Sequence, residues 1–328
     1  MAILLVFLPV LLLLLMANLG ESHSGWRSAT FLVLWVVDGF VVLAGLAMSL
    51  SGTVPLPPEL EPKIGDLDLV VGGWVLLIGG MIALLLMPKR ARRLFALKGL
   101  GFHPESSVVH AVSLEIAWWL LVVGVAQWLM LRNVSNLLET VPPVSLLQIV
   151  LQGVVETVVA FVGVGWLIRR STSESLARLG LYGIKKWHWL AALVALGAMY
   201  SMNLLYGLAA VLSKSGGLGE IGKINQTLLG NLMSPWGALV VGLSAGVGEE
   251  LIFRGAVQER MGIVTAALLF AVLHTQYSFS LGIVVVFVIG LILGYLRKYT
   301  SVSVSILTHA TYNFIGIMLM VLSQSIGK

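Results

Sequence analysis

The chain has 328 residues, of which 58% are hydrophobic and only 11% are charged, and its formal net charge is +5. Soluble proteins carry about a quarter charged residues, so this composition excludes a chain that is water-soluble along its whole length. The lack of cysteine excludes disulfides, thiolate metal sites and a cysteine nucleophile. Lys and Arg stand between apolar segments, as expected for membrane loops, and we therefore predict no nucleic-acid partner.

Long apolar segments separated by short polar ones recur along the chain. Because hydrocarbon offers no water to the backbone, each segment of about 20 apolar residues is expected to be a membrane-spanning helix. The predicted fold class is all-α, a polytopic transmembrane helical bundle of about ten spans. In chain order, the predicted spans cover residues 2–19, 28–50, 69–88, 108–131, 147–168, 188–213, 234–253, 261–277, 279–296 and 303–323.

The first apolar segment, Ala2 to Met16, has no basic residue before it and no clear small-residue cleavage site. These features favour a retained first helix over a cleaved signal peptide.

Basic residues predict the orientation of the bundle. They collect in segments 89–98 and 169–186 and at the pairs Arg254 with Arg260 and Arg297 with Lys298, which a ten-span bundle places on one side. That side is predicted to be cytoplasmic, in the plasma membrane of a prokaryotic cell. Segment 169–186 is typical of an amphipathic surface helix or linker. It separates a transmembrane region of unassigned role, 1–187, from a C-terminal region, 188–328, that holds the candidate chemistry.

Two adjacent carboxylates, Glu249 and Glu250, stand in the otherwise apolar seventh span. A charge at the centre of a span costs about 2.5 to 3.5 kcal/mol on insertion scales. Glu250 and Arg254 are four residues apart and can form an ion pair on one helix face. Glu249 points about 100 degrees away, so it either reaches the headgroups or has a function.

Two later spans each carry a pair of residues that stand one helical turn apart. Phe270 and His274 end the eighth span, and His309 and Asn313 begin the tenth. Taken singly, they are explained by core packing or by a hydrogen bond between helices. Together with the glutamates they predict a polar pocket suited to amide hydrolysis. Glu249, helped by His274, would take a proton from water, and His309 and Asn313 would donate to the oxyanion.

This ordered set of motifs resembles the CPBP family of intramembrane proteases, which includes the Ras-converting type of CAAX prenyl protease. The resemblance covers roughly residues 236 to 316. It implies an endopeptidase that opens to the cytoplasm and cleaves a membrane-anchored or lipidated peptide. It also implies catalytic roles for the first Glu, both His and Asn, with the remaining residues supporting the site. The motifs are Glu249-Glu250-x-x-x-Arg254, Phe270-x-x-x-His274 and His309-x-x-x-Asn313.

Zinc is the alternative to a cofactor-free site. Glu249, His274 and His309 could supply three ligands and leave an open position for water. Nothing resembling His-Glu-x-x-His occurs. The resemblance favours water activated by glutamate without a bound metal, so we expect no cofactor, with Zn²⁺ as the alternative.

Other polar residues stand within predicted spans, namely Asp38, His110, Glu115 and Glu156. They either pair with one another or lie near the headgroups, or they form a relay. A relay would suit the alternative of another class, a non-catalytic transporter or a peptide-binding immunity protein. The expected partners are membrane lipid and a membrane-anchored peptide or protein substrate. The sequence does not indicate an oligomeric state.

Overall fold

The computed structural model describes residues 2–50, 67–88, 107–131, 143–212, 225–274 and 282–326. The described residues are almost entirely helical and include no strand, which confirms the all-α fold class. The basic segment 89–98 lies outside them. The helices are α1 (Ala2–Gly20), α2 (Ser24–Leu50), α3 (Leu69–Leu86), α4 (Val108–Leu131), α5 (Leu146–Val164), α6 (Thr172–Leu179), α7 (Lys186–Leu212), α8 (Pro235–Glu250), α9 (Gln258–Leu273), α10 (Gly282–Tyr299) and α11 (Val302–Ile326).

Eight helical segments among the described residues are long and apolar enough to cross a membrane. About ten spans were expected. Helix α1, of which Phe7–Gly20 is apolar, is not among the eight. The predicted seventh and eighth spans form one helical run, Pro235–Leu273, in which a π-helical segment, Leu251–Val257, joins α8 to α9. This run kinks at Gly262, with φ 82° and ψ 171°. The chain is an integral, multi-pass membrane protein.

The surface of the helices is apolar in the way that lipid contact requires. On α2, Leu32, Val36, Phe40 and Leu43 are each more than 60% exposed. Their spacing of three or four residues places them on one helix face. A stripe of large apolar side chains facing water would be a binding or aggregation site, whereas in a bilayer it faces lipid tails.

The helices form two compact units. The first contains residues 1–15, 142–271 and 280–328, and the second contains residues 16–141 and 272–279. The boundary predicted at residue 187 stays a prediction. Helices α5 and α6, which precede it, belong to the unit that carries the Glu pair.

Helices α5 and α8 approach each other closely because small residues face one another. Ser145 caps the N-terminus of α5, where its Oγ accepts a hydrogen bond from the backbone N–H of Gln148, 3.2 Å away. Further along, a Cβ on Gly153 would lie 2.9 Å from the carbonyl oxygen of Ser244. Ser244 donates its hydroxyl to the carbonyl of Ile149 at 2.6 Å. These contacts hold the middle of α5 against α8.

The second close contact joins α8 to α11. A Cβ on Gly246 would lie 2.9 Å from the Cβ of Ala310 and 3.0 Å from the carbonyl oxygen of Ile306. Only a glycine leaves room for the two backbones here. This contact brings the first turns of α11 to the C-terminal end of α8.

Polar residues of the second unit pair with one another. Asp38 of α2 is fully buried, and its Oδ1 accepts a hydrogen bond from Nε1 of Trp119 on α4 at 2.9 Å. Asp38 also shares a side-chain hydrogen bond with Glu115, which stands on α4 like Trp119. For Asp38 and Glu115, this arrangement agrees with the interpretation that the polar residues within the spans pair with one another.

Candidate active site

Glu250 is the centre of the buried polar cluster. Its side chain is fully buried, and its Oε1 lies 2.9 Å from Nδ1 of His309. Its Oε2 lies 3.2 Å from Nε of Arg254, an ion pair without the alignment of a hydrogen bond. One carboxylate therefore joins α8, the π-helical segment and α11.

Arg254 is held on its other sides as well. It is 1% exposed, and its Nη2 donates to the carbonyl of Gly290 on α10 at 3.4 Å. Its Cζ lies 4.5 Å from the ring centroid of Phe270, a cation–π contact. The Phe270 ring also meets His309 edge-on, at 5.9 Å between centroids. The fold thus brings together the three predicted support residues, whose roles stay predictions.

The π-helical segment that carries Arg254 was not predicted. It covers Leu251–Val257, and within it Gly255 packs against Leu179 of α6. Arg178 of α6 donates to the carbonyl of Gly255 at 3.2 Å. Such wide turns are frequent at functional sites, because they change which side chains share a face. No residue pattern distinguishes them from an ordinary helix.

Gly248, the residue before Glu249, lies against a second acidic side chain, Glu156. The Oε2 of Glu249 is buried and has no hydrogen-bond partner among the described residues. Glu156 of α5 is 6% exposed. A Cβ on Gly248 would overlap Oε2 of Glu156 and lie 3.0 Å from its Cβ.

Sequence reasoning grouped Glu156 with the polar residues of unassigned role and did not connect it with Gly248. The two residues are about 90 positions apart, and no motif relates them. The only signal was the run of small residues just before the glutamates of α8, at Ala245, Gly246 and Gly248. Such a run predicts that another helix packs closely there.

The remaining predicted site residues are His274 and Asn313. Asn313 stands one turn after His309 on α11 and is partly exposed, so both can reach one space. His274 directly follows α9, is partly exposed and belongs to the second compact unit. Its pairing with Glu249 stays a prediction.

The zinc alternative requires three side chains that converge on one point. Among the described residues, no group of three His, Cys, Asp or Glu side chains could hold a metal ion. The Nδ1 of His309 is also engaged by Glu250. The zinc alternative stays a prediction, and the reaction proposed for this site uses no metal.

A family model supports the interpretation of this region. Residues 231–315 match the model described as type II CAAX prenyl endopeptidase, Rce1-like. This region is Rce1-like. It contains all three motifs, so the resemblance seen in them is confirmed. The description of the matching model names an endopeptidase, which is a hydrolase. It covers about a quarter of the chain, and α1 to α7 precede it. The chain matches neither a curated protein nor a solved structure.

Proposed function

We propose that the protein is an intramembrane endopeptidase that hydrolyses a peptide bond of a membrane-anchored or lipidated protein or peptide near the cytoplasmic face. One observation carries the proposal. Within the Rce1-like region, Glu249 has a buried oxygen that finds no hydrogen-bond partner among the described residues, next to the polar cluster around Glu250. A carboxylate so placed can accept a proton from a water molecule.

The proposed reaction uses this proton twice. Glu249 takes a proton from water, assisted by His274, whose role is carried over from the motif. The resulting hydroxide attacks the peptide carbonyl, and the carbonyl oxygen becomes an oxyanion. Collapse of this intermediate breaks the C–N bond, and Glu249 returns the proton to the leaving amine. The products are a carboxylic acid and an amine, so atoms and charges balance.

The oxyanion is held by His309 and Asn313 in this proposal. Nδ1 of His309 lies 2.9 Å from Oε1 of Glu250, so the ring is oriented through Nδ1 and its Nε2 is the atom left for the oxyanion. Asn313 adds a neutral N–H donor. One such donor lowers the activation free energy by about 2.7 to 4 kcal/mol.

We also propose that the enzyme is of the glutamic type, needs no cofactor, and resides in the plasma membrane of a prokaryotic cell. The resemblance of the three motifs supports the first part. The distribution of Lys and Arg supports a cytoplasmic side for the loops that carry them. Fractionation of the source cells tests the membrane assignment.

The test is cleavage of a membrane-anchored peptide library by the purified full chain in liposomes. The decisive variant is Glu249→Gln, which keeps the shape of the side chain but removes the base. Its matched control is Glu259→Gln, the same change at a more exposed residue that pairs with Arg297. We expect Glu249→Gln to lose about a hundredfold to ten-thousandfold in kcat/KM, and the control to cleave normally.

Each assay is repeated with a chelator, and each outcome decides one part of the proposal. Cleavage that survives the chelator supports the glutamic type, and cleavage abolished by it restores the zinc alternative. Equal activity of wild type and Glu249→Gln removes Glu249 as the base. A wild type without activity on any anchored peptide favours the non-catalytic alternative, a transporter or peptide-binding protein.

A further inference from the structure

Helix α7 lies outside the Rce1-like region and packs against α11, the helix that carries His309 and Asn313. Two polar side chains of α7, Tyr200 and Asn203, stand three residues apart and therefore on one helix face. Both bind Tyr312, the residue before Asn313. The polar contact between α7 and α11 is thus made at the turn from which Asn313 would donate to the oxyanion.

Tyr200 binds the backbone of α11. Its hydroxyl donates to the carbonyl oxygen of Tyr312 at 2.7 Å. A Cβ on Gly316, one turn further along α11, would lie 3.8 Å from the same hydroxyl. A bond to a side chain leaves rotatable torsions between the bond and the helix, whereas a bond to the backbone restrains the helix itself.

The ring of Tyr312 is held by the same face of α7. Nδ2 of Asn203 donates to Oη of Tyr312 at 2.7 Å. The rings of Tyr200 and Tyr312 lie 5.0 Å apart between centroids. These groups stand in helices long and apolar enough to cross a membrane, where hydrocarbon offers no water as a competing partner. Three contacts therefore fix Tyr312 against α7.

Helix α8 holds α11 on a different face. A Cβ on Gly242 would lie 2.6 Å from the carbonyl oxygen of Ala310, so the two backbones touch there. At about 100 degrees per residue, His309 and Asn313 stand between the face of Ala310 and the face of Tyr312. The contacts with α8 and α7 together set the rotation of the face that carries the two proposed oxyanion donors.

We propose that Tyr200 is a positioning residue of the candidate active site, whose bond to the backbone of Tyr312 sets the rotation of α11 that aims Asn313 at the oxyanion. Side-chain ends lie about 5 to 6 Å from a helix axis, so a rotation of about 10 degrees moves them by about 1 Å. A displacement of about 1 Å can lower a rate by about a hundredfold. The inference rests on the function proposed above.

The variant that tests the inference is Tyr200→Phe, which removes the hydroxyl and keeps the ring. Its matched control is Tyr182→Phe, because the exposed Tyr182 also donates to a backbone carbonyl, that of Ala177, at 2.9 Å. In the liposome cleavage assay we expect Tyr200→Phe to lose about tenfold in kcat. Its KM should change by less than about twofold, because the oxyanion exists only in the transition state. The control should keep both values.

A double-mutant cycle separates positioning from stabilisation of the bundle. Asn313→Ala removes the donor that Tyr200 aims, so adding Tyr200→Phe to it should lower kcat by less than about twofold. An equal loss in both backgrounds overturns the inference, because Tyr200 then acts without Asn313. Unchanged kcat in Tyr200→Phe overturns it as well. One hydrogen bond between membrane helices contributes modestly to stability, so the variants should stay folded, as size exclusion and thermal unfolding will check.

A measurement without substrate separates this inference from the proposed function. We would label asparagine isotopically and record side-chain amide NMR signals of the full chain in lipid nanodiscs, with the Asn313 signal assigned by its loss in Asn313→Ala. We expect Tyr200→Phe to shift this signal and Tyr182→Phe to leave it in place. An unmoved signal in Tyr200→Phe overturns the inference, while cleavage by wild type keeps the proposed function. If wild type cleaves no anchored peptide, the proposed function fails and the amide spectra alone decide the inference.

Discussion

Removal of the charge on Glu250 tests whether the buried cluster holds α8, α10 and α11 together. In Glu250→Gln, the guanidinium of Arg254 keeps its contacts with the Phe270 ring and the Gly290 carbonyl but loses its counter-charge. In Arg254→Met, the carboxylate keeps His309 and loses the guanidinium. Each single variant leaves one buried charge unpaired. The double variant removes both charges.

The expected magnitudes follow from the burial of the pair, since the two side chains are 1% and 0% exposed. Removal of one partner of a buried ion pair costs about 3 to 5 kcal/mol, whereas apolar replacement of both partners is often close to neutral. We therefore expect each single variant to lose about 3 kcal/mol or more of unfolding free energy. We expect the double variant to be more stable than the sum of the single losses predicts, by about 1 to 3 kcal/mol.

The assay is reversible unfolding of the full chain by a denaturing detergent in mixed micelles, followed by helix content. The control is the same cycle at Glu259 and Arg297, an ion pair whose side chains are 44% and 20% exposed. An exposed pair contributes about 0 to 1 kcal/mol, so this cycle should be nearly additive. If the buried cycle is also additive, or if its single variants lose less than about 1 kcal/mol, the cluster does not stabilise the bundle as argued.

Two further changes test the packing around the cluster. Gly246→Ala should cost about 1 to 3 kcal/mol of unfolding free energy and lower activity, because its methyl group meets Ala310. Its control is Gly197→Ala, an exposed helical position with nothing within 4 Å, which should be neutral or stabilising; equal losses contradict the argument. Phe270→Leu should cost about 2 kcal/mol through the lost cation–π contact with Arg254, measured by the same unfolding assay. An effect that persists in the Arg254→Met background would show that the ring acts through packing alone.

Much of the fold could be predicted, because a bilayer leaves a chain few choices. Spans 69–88 and 108–131 coincide with α3 and α4 to within about two residues, since apolar length alone sets a crossing helix. The prediction separated two spans between residues 253 and 261, where the chain instead continues as a π-helical segment and α9. The basic pair Arg254 and Arg260 suggested a loop, but within the helices Arg254 pairs with Glu250 and Arg260 donates to the carbonyl of Gly163.

The candidate site could be predicted in part. The spacing of four residues from Glu250 to Arg254 and from His309 to Asn313 indicated shared helix faces. That spacing could not show that His309 turns its Nδ1 to Glu250, because the contact crosses 59 residues of sequence. Nor could it show that Gly248 makes room for Glu156, because this contact depends on which helices pack together.

The amino-acid sequence by itself determined that the chain crosses a membrane as helices, and it placed the candidate site residues in three motifs of the last third. Both follow from local physics: the cost of polar groups in hydrocarbon and the periodicity of a helix. Only the tertiary structure decided that Glu250 joins Arg254 to His309 and that Glu156 lies against Gly248. Contacts between distant helices depend on backbone approach at positions such as Gly246 and Gly248, and this approach is a property of the packed bundle.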